Sequence, residues 1–241
     1  MKGRLGTLTA LYVTQYLGIG FITVGLTAIL RDGGTSLETL AVLNLIGLVW
    51  PLKFLWAPIL DRYGSTRRGH YRSWLIVLQA GLVLALLALL PFTNPSSQLG
   101  PIIGICAAYV FLSATQDIAA DAVAVRLLAD NARGAGNGIQ VAASYLGNIL
   151  GGGACVIVYD RYGWVPAILL LAGLTLIGLI VILVFRESAR TDRLSRTSEA
   201  YRSLLSVFSQ PGCRLWTFVV GPHVYIGSAG AYGLVTPAEP M

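Results

Sequence analysis

Three ionisable residues stand inside otherwise apolar stretches of the chain, where a charge is costly. Lys53 lies in the run LVWPLKFLWAP, and Asp117 and Asp121 lie in SATQDIAADA. A spacing of four residues puts the two acids on one face of a helix. An unpaired charge at membrane depth costs at least about 2.5 kcal/mol. We therefore expect Lys53 to pair with an acid on another helix or to face an aqueous cavity.

The chemistry open to this group is either a static ion lock or the relay of a proton. Arg126 follows Asp117 by nine residues, about 13–14 Å along a helix, and is a further candidate for the lock. Two carboxylates on one face can pass a proton, because burial and nearby cations shift their proton affinity. Sequence leaves both interpretations open, and the response of pH-driven uptake to neutralising Asp117 would separate them.

A second set of polar side chains falls in two apolar stretches near positions 7–30 and 101–125. Tyr12, Gln15 and Tyr16 lie in the first stretch, and Tyr109 and Ser113 lie in the other. Aromatic and amide groups near the middle of a membrane suit an organic solute better than a bare ion. We predict that these residues bind a small-molecule substrate. Helix packing and interfacial anchoring are the alternative roles.

The sequence offers little for catalysis, metal binding or cofactors. Cysteine occurs three times, with no close pair at the spacing of metal ligands. No nucleophile, base and orienting group can be assembled, and no nucleotide-binding fingerprint is present. We therefore expect no enzyme activity, no catalytic residue, no bound metal and no cofactor.

Composition indicates which elements must position these residues. The 241 residues are 55% hydrophobic and 12% charged, with a mean hydropathy of +0.71, whereas a soluble domain is typically about 25% charged. Such a chain has too little polar surface for a water-exposed globule, which excludes a soluble enzyme and a nucleic-acid-binding module. The expected fold class is all-α, a polytopic membrane protein whose apolar stretches cross the bilayer as helices.

Seven stretches are long enough to span a membrane. They are predicted at Thr7–Leu30, Leu37–Leu60, Trp74–Pro91, Pro101–Val125, Gly138–Tyr159, Trp164–Phe185 and Leu215–Val235. Six of them form an amino-terminal bundle over 1–185, followed by a cytoplasmic linker at 186–214 and a seventh helix within 215–241. The G-x-x-x-G spacing of Gly147 and Gly151 predicts close helix packing.

Charges between the spans predict the orientation of the chain. Fourteen of the seventeen Lys and Arg residues lie at the N-terminus or in alternate loops, and positive loops stay cytoplasmic. The N-terminus is therefore predicted inside, and the seventh span ends outside. The expected partners are membrane lipid and a small molecule, with no nucleic acid.

The segment APILDRYGSTRRG at 57–69 resembles the loop signature G-x-L-A-D-R-x-G-R-R between helices two and three of the major facilitator superfamily. Asp61, Arg62 and Arg68 match its charged positions. Ala57 replaces the first glycine, and two extra residues precede the arginine pair. Together with LKFLWAPILDR and SATQDIAADA, this loop makes the chain similar to the branch of muropeptide permeases and acetyl-CoA transporters. Within that branch it most resembles siderophore importers of the rhizobactin and pyochelin type.

The resemblance implies a multi-pass carrier of the bacterial inner membrane, with two six-helix halves that rock around a midplane site. It also implies that Asp61, Arg62 and Arg68 act in a cytoplasmic charge lock. The leading expectation is proton-coupled import of a ferric siderophore or a similar organic solute. The alternatives are a muropeptide or other metabolite permease, an exporter, and a membrane assembly protein that transports nothing.

The length of the chain exceeds six spanning helices and falls short of twelve. We expect a shortened member of a twelve-helix family, consisting of an amino-terminal half and helix seven. Activity would then require a second copy of the chain or a missing carboxy-terminal half.

Overall fold

The computed structural model describes residues 2–63, 69–127 and 133–187, and within them every regular element is helical. Six helices are long and apolar enough to cross a membrane: α1 (Leu5–Asp32), α2 (Leu37–Leu55), α3 (His70–Leu87), α4 (Leu99–Leu127), α5 (Gly136–Tyr162) and α6 (Trp164–Val184). The predicted all-α class is confirmed, and each of the first six predicted spans coincides with one of these helices. The seventh span and positions 188–214 of the predicted linker lie outside the described residues.

The helix α1 is central to this bundle, since it contacts α4, α5 and α6. Glycines allow α5 to approach it closely. A Cβ atom at Gly147 would lie 2.6 Å from the Cβ atom of Tyr16, and one at Gly151 would overlap the carbonyl group of Leu17. The close packing predicted from the glycine spacing is therefore confirmed.

Each of the two packed helices contains a short π-helical segment, Phe21–Leu26 in α1 and Ile149–Ala154 in α5. The two segments contact each other. A Cβ atom at Gly25 would lie 3.3 Å from the carbonyl oxygen of Gly151. Glycine at this contact therefore allows the two backbones to approach closely, at the point where each helix has a π-helical turn.

The helix α3 packs against α4 and α6. Gln79 Nε2 donates to the carbonyl oxygen of Thr175 at 2.8 Å, and Trp164 Nε1 donates to that of Leu89, just beyond α3, also at 2.8 Å. These bonds join helices that support the cluster of Lys53, Asp117 and Asp121 described below and contribute none of its ionisable side chains.

The helix α2 is the least buried of the six. Only 11% of the residues in its apolar span are buried, compared with 61% in α1. From Ile46 onward it changes from α-helical to 3₁₀ winding, in the segments Ile46–Val49 and Pro51–Leu55. Runs of 3₁₀ helix longer than about four residues are uncommon, and this one carries Lys53.

Candidate functional site

The charged side chains of α2 and α4 meet within the bundle. Lys53 Nζ forms an ion pair with Asp117 Oδ2 and lies 3.8 Å from Asp121 Oδ2. The two acids reach the same ammonium group because they stand one turn apart on α4. Their exposure differs greatly, since the side chain of Asp117 is 3% exposed and that of Asp121 is 42% exposed.

The helix α1 supplies a hydrogen-bond donor to each acid. Gln15 Nε2 donates to Asp117 Oδ1 at 2.5 Å, and the Tyr12 hydroxyl donates to Asp121 Oδ1 at 2.9 Å. Gln15 is fully buried. The first acid is thus enclosed between Lys53 and an amide, whereas the second faces outward.

An open recess of about 330 Å³ adjoins Asp121. Its polar lining comes from three helices: Tyr12 on α1, Asp121 on α4, and Asn137 and Gln140 on α5. Gln140 Nε2 lies 3.4 Å from Asp121 Oδ1. The recess therefore presents a carboxylate, a phenol and two amides to whatever enters it. Sequence reasoning missed both amides, although Gln140 stands at the start of a predicted span and Asn137 directly precedes it.

Two tryptophans flank Lys53, Trp50 within α2 and Trp56 directly after its end. The ring of Trp50 stacks on Tyr16 of α1, with centroids 6.0 Å apart and an angle of 27°. Trp56 Nε1 donates to Thr115 Oγ1 of α4 at 3.1 Å. Sequence reasoning missed both tryptophans, whose signal was their spacing of three residues on either side of the lysine.

The remaining predicted substrate ligands, Tyr109 and Ser113, lie within the packing of α4 against α1. Tyr109 is 1% exposed and its ring lies against Gly18. Ser113 is fully buried, and its hydroxyl donates to the backbone carbonyl of Gln15 at 3.4 Å. In this conformation neither side chain lines the recess, and both join the two helices that carry it.

Arg126 is not part of the Lys53 cluster, contrary to the single lock considered from the sequence. Its Nη1 lies 3.6 Å from Glu187 Oε1, and its guanidinium lies 4.9 Å from the ring centroid of Tyr71. The separation of nine residues from Asp117 along α4 places Arg126 at the end of the helix. The predicted lock therefore divides into two clusters at different depths.

Glu187 joins the beginning of α3 to the ends of α4 and α6. Its Oε2 accepts the backbone N–H of Arg72 at 2.7 Å, in the first turn of α3. The side chain of Arg72 makes the contact with α6, since its Nη2 donates to the carbonyl oxygen of Leu183, near the end of that helix, at 2.8 Å. Sequence reasoning missed Glu187, because it stands among the alternating charges of the predicted linker.

Two of the predicted lock residues, Asp61 and Arg62, lie in the short helix Ala57–Arg62 after α2, at the same end of the bundle. Asp61 Oδ1 accepts the hydroxyl of Tyr71 at 2.8 Å. The guanidinium of Arg62 lies 5.7 Å from the ring centroid of Tyr63. Arg68 lies outside the described residues. Their joint role in a charge lock stays a prediction.

Two proteins to which the chain is similar come from bacteria. It is 32% identical over 174 residues to an uncharacterised protein of Haemophilus influenzae, covering 72% of this chain and 41% of that one. It is 34% identical over 165 residues to the anhydromuropeptide permease of Escherichia coli K12, covering 68% of this chain and 33% of the permease. The matches thus span about a third to two fifths of these relatives.

The permease supports the resemblance to muropeptide permeases, and neither relative supports the narrower one to siderophore importers. The model of the Major Facilitator Superfamily matches residues 6–237, nearly the whole chain. Both findings agree with the six apolar helices and with the loop motif after α2. The chain therefore belongs to the major facilitator superfamily.

Proposed function

We propose that this chain belongs to a secondary transporter that imports a muropeptide across the bacterial inner membrane. The observation that carries the proposal is a recess with four polar side chains beside a partly buried ion pair, in a chain similar to an anhydromuropeptide permease. The muropeptide replaces the ferric siderophore as the leading solute, since only the former has support from a relative.

The chemistry of the recess suits such a solute. A muropeptide is a sugar joined to a short peptide and therefore carries many hydroxyl and amide groups. The carboxylate of Asp121 accepts hydrogen bonds, the amides of Asn137 and Gln140 both donate and accept them, and Tyr12 adds a hydroxyl. A few polar groups that converge at a concave site are typical of small-molecule binding.

The two acids take different roles in the proposed cycle. Asp117 is enclosed by Lys53 and Gln15 and acts as the fixed member of an ion lock between α2 and α4. Asp121 faces the recess and exchanges the coupling proton, with Tyr12, Lys53 and Asp117 as the titratable groups around it. A proton on Asp121 removes one negative charge from a cluster that holds two carboxylates and one ammonium group.

Binding to the full chain in lipid nanodiscs tests the choice of solute. We expect an anhydromuropeptide to bind, and Asp121→Asn to weaken its binding about tenfold, the loss typical of a hydrogen bond to a charged group. The matched control is Asp160→Asn, which neutralises an exposed acid near the end of α5 and should leave the affinity unchanged. Titration calorimetry with the muropeptide and with a ferric siderophore gives both affinities.

A folded chain that binds the siderophore, or neither solute, would contradict the proposed solute. Proton coupling is measured separately, by muropeptide uptake into vesicles with and without a pH gradient. Asp121→Asn should remove the response to the gradient, and a response that survives this substitution would contradict the assignment of Asp121.

A further inference from the structure

We infer that Pro51 is a positioning residue, because it holds α2 in the 3₁₀ winding that brings Lys53 to Asp117. This role goes beyond the proposed function and holds whatever solute is carried. It concerns how the ion pair is assembled, and its readouts require no substrate.

The backbone hydrogen bonds of α2 show where α-helical winding stops. In an α-helix the carbonyl group of Gly47 would accept the N–H of residue 51, but proline has none. That carbonyl instead accepts the N–H of Trp50 at 3.0 Å. The same three-residue pattern continues from Lys53 to Trp50 at 3.2 Å and from Trp56 to Lys53 at 3.3 Å.

This winding places three side chains in one line. A 3₁₀ helix has 3.0 residues per turn, so Trp50, Lys53 and Trp56 project in the same direction. At the 100° per residue of an α-helix they would spread over about 120°. In the structure all three contact neighbouring helices, Trp50 on α1 and the other two on α4. These three contacts match the aligned arrangement.

Tertiary packing around this part of α2 is loose. The helix is mostly exposed, and a cavity of about 150 Å³ lies beside it, lined by α1, α2 and α4. A Cβ atom at Gly47 would meet nothing within 4 Å. The local sequence, with proline at position 51, therefore has a large share in choosing the winding.

Rewinding the segment from Ile46 as an α-helix would move Lys53 away from its partner. Each residue of an α-helix turns the chain by about 20° less than a residue of a 3₁₀ helix, so over the seven residues from Ile46 to Lys53 the side chain would rotate by about 140°. The smaller rise per residue would also shift it by about 3.5 Å along the helix axis. In that winding position 54 comes within about 40° of the direction that Lys53 now takes. A lysine moved to position 54 should therefore pair with Asp117 only when Pro51 is absent.

Lysine acylation tests this expectation cleanly, because Lys2 and Lys53 are the only lysines of the chain. The full chain in nanodiscs is treated with an amine-reactive reagent, and mass spectrometry compares each site with Lys2. We expect Pro51→Ala to raise the reactivity of Lys53 about tenfold, as for the loss of a charge-assisted hydrogen bond. Lys53→Phe combined with Phe54→Lys moves the lysine to position 54, where with Pro51 present its reactivity should exceed that of Lys53 in the unaltered chain. Adding Pro51→Ala to that exchange should lower the reactivity of the lysine at position 54 again.

Two controls keep the result interpretable. Pro58→Ala should leave Lys53 unchanged, since Pro58 stands in the first turn of the short helix Ala57–Arg62, where proline is tolerated. Slow hydrogen exchange of the Trp164 indole N–H, which donates to Leu89, reports that each variant is folded.

Unchanged Lys53 reactivity in folded Pro51→Ala would overturn the inference, as would an equal effect of the lysine exchange with and without Pro51. The lysine exchange without Pro51→Ala keeps the proline, so it tests the alignment of the side chains even if Pro51→Ala fails to fold. In that case the inference would be overturned if the lysine at position 54 were as protected from acylation as Lys53 is in the unaltered chain.

Discussion

At the scale of single residues, the carboxylate of Asp117 depends on its two partners. Its side chain is 3% exposed, with Lys53 Nζ on one oxygen and Gln15 Nε2 on the other. Removing one member of a buried pair costs about 3–5 kcal/mol, because the remaining charge keeps its desolvation penalty. Lys53 is itself 28% exposed, which lowers the expected loss for Lys53→Gln to about 3 kcal/mol. Unfolding of the chain in detergent, followed by circular dichroism, measures it.

The double variant Lys53→Gln with Asp117→Asn is the control for this prediction. It removes both charges, and we expect it to recover more than half of the stability lost by Lys53→Gln alone. If the double variant is as unstable as Lys53→Gln, the loss comes from the missing lysine stem and not from a stranded carboxylate.

At the scale of elements, the contact between α1 and α5 depends on which glycines face inward. Gly151 and Gly153 stand in the same π-helical segment of α5. A Cβ atom at Gly151 would overlap the carbonyl of Leu17, whereas one at Gly153 would meet nothing within 4 Å. We expect Gly151→Ala to lower the free energy of unfolding by about 1–3 kcal/mol through overpacking. Thermal unfolding in nanodiscs compares it with Gly153→Ala.

Gly153→Ala should leave stability unchanged or raise it by up to about 1 kcal/mol, because alanine has the higher helix propensity. Both variants alter helix propensity in the same way, so their difference isolates the contact with α1. Equal destabilisation by both would show that backbone preference, and not the interhelical contact, sets the need for glycine.

Sequence was sufficient for the helices because hydropathy alone specifies a membrane span. The sequence also predicted the pairing of Lys53 with an acid on another helix, because the depth of a residue in the membrane follows from the rise per residue of the helix alone. It failed where side-chain direction depends on residues per turn, as for Trp50 and Trp56 at the two ends of the 3₁₀ segment Pro51–Leu55. Tyr109 likewise fell in the expected helix, but facing α1 and not the recess. Rotation about a helix axis is set by packing, which a single sequence does not reveal.

At the scale of the whole described bundle, two ionic clusters divide the helices between them. Lys53, Asp117 and Asp121, with their donors, connect α1, α2, α4 and α5. The contacts of Glu187 and Arg72 connect α3, α4 and α6. The helix α4 belongs to both clusters, which makes it the element through which a change at one cluster would strain the other.

The distribution of arginine predicts which side of the membrane each end of the bundle faces. The loop between α2 and α3 carries Arg62, Arg67 and Arg68, whereas positions 92–100 between α3 and α4 carry no cation. Because positive loops stay cytoplasmic, a cysteine at Ser97 should react with a membrane-impermeant maleimide in intact spheroplasts. A cysteine at the exposed Tyr63 should react only after permeabilisation.

The labelling experiment needs a background without other reactive cysteines. Ser97→Cys and Tyr63→Cys are therefore made with Cys213→Ser, since Cys106 and Cys155 are buried. A cysteine at the buried Gln79 should stay unlabelled throughout. Labelling of Tyr63→Cys from outside would reverse the predicted orientation and place the Glu187 cluster on the periplasmic side.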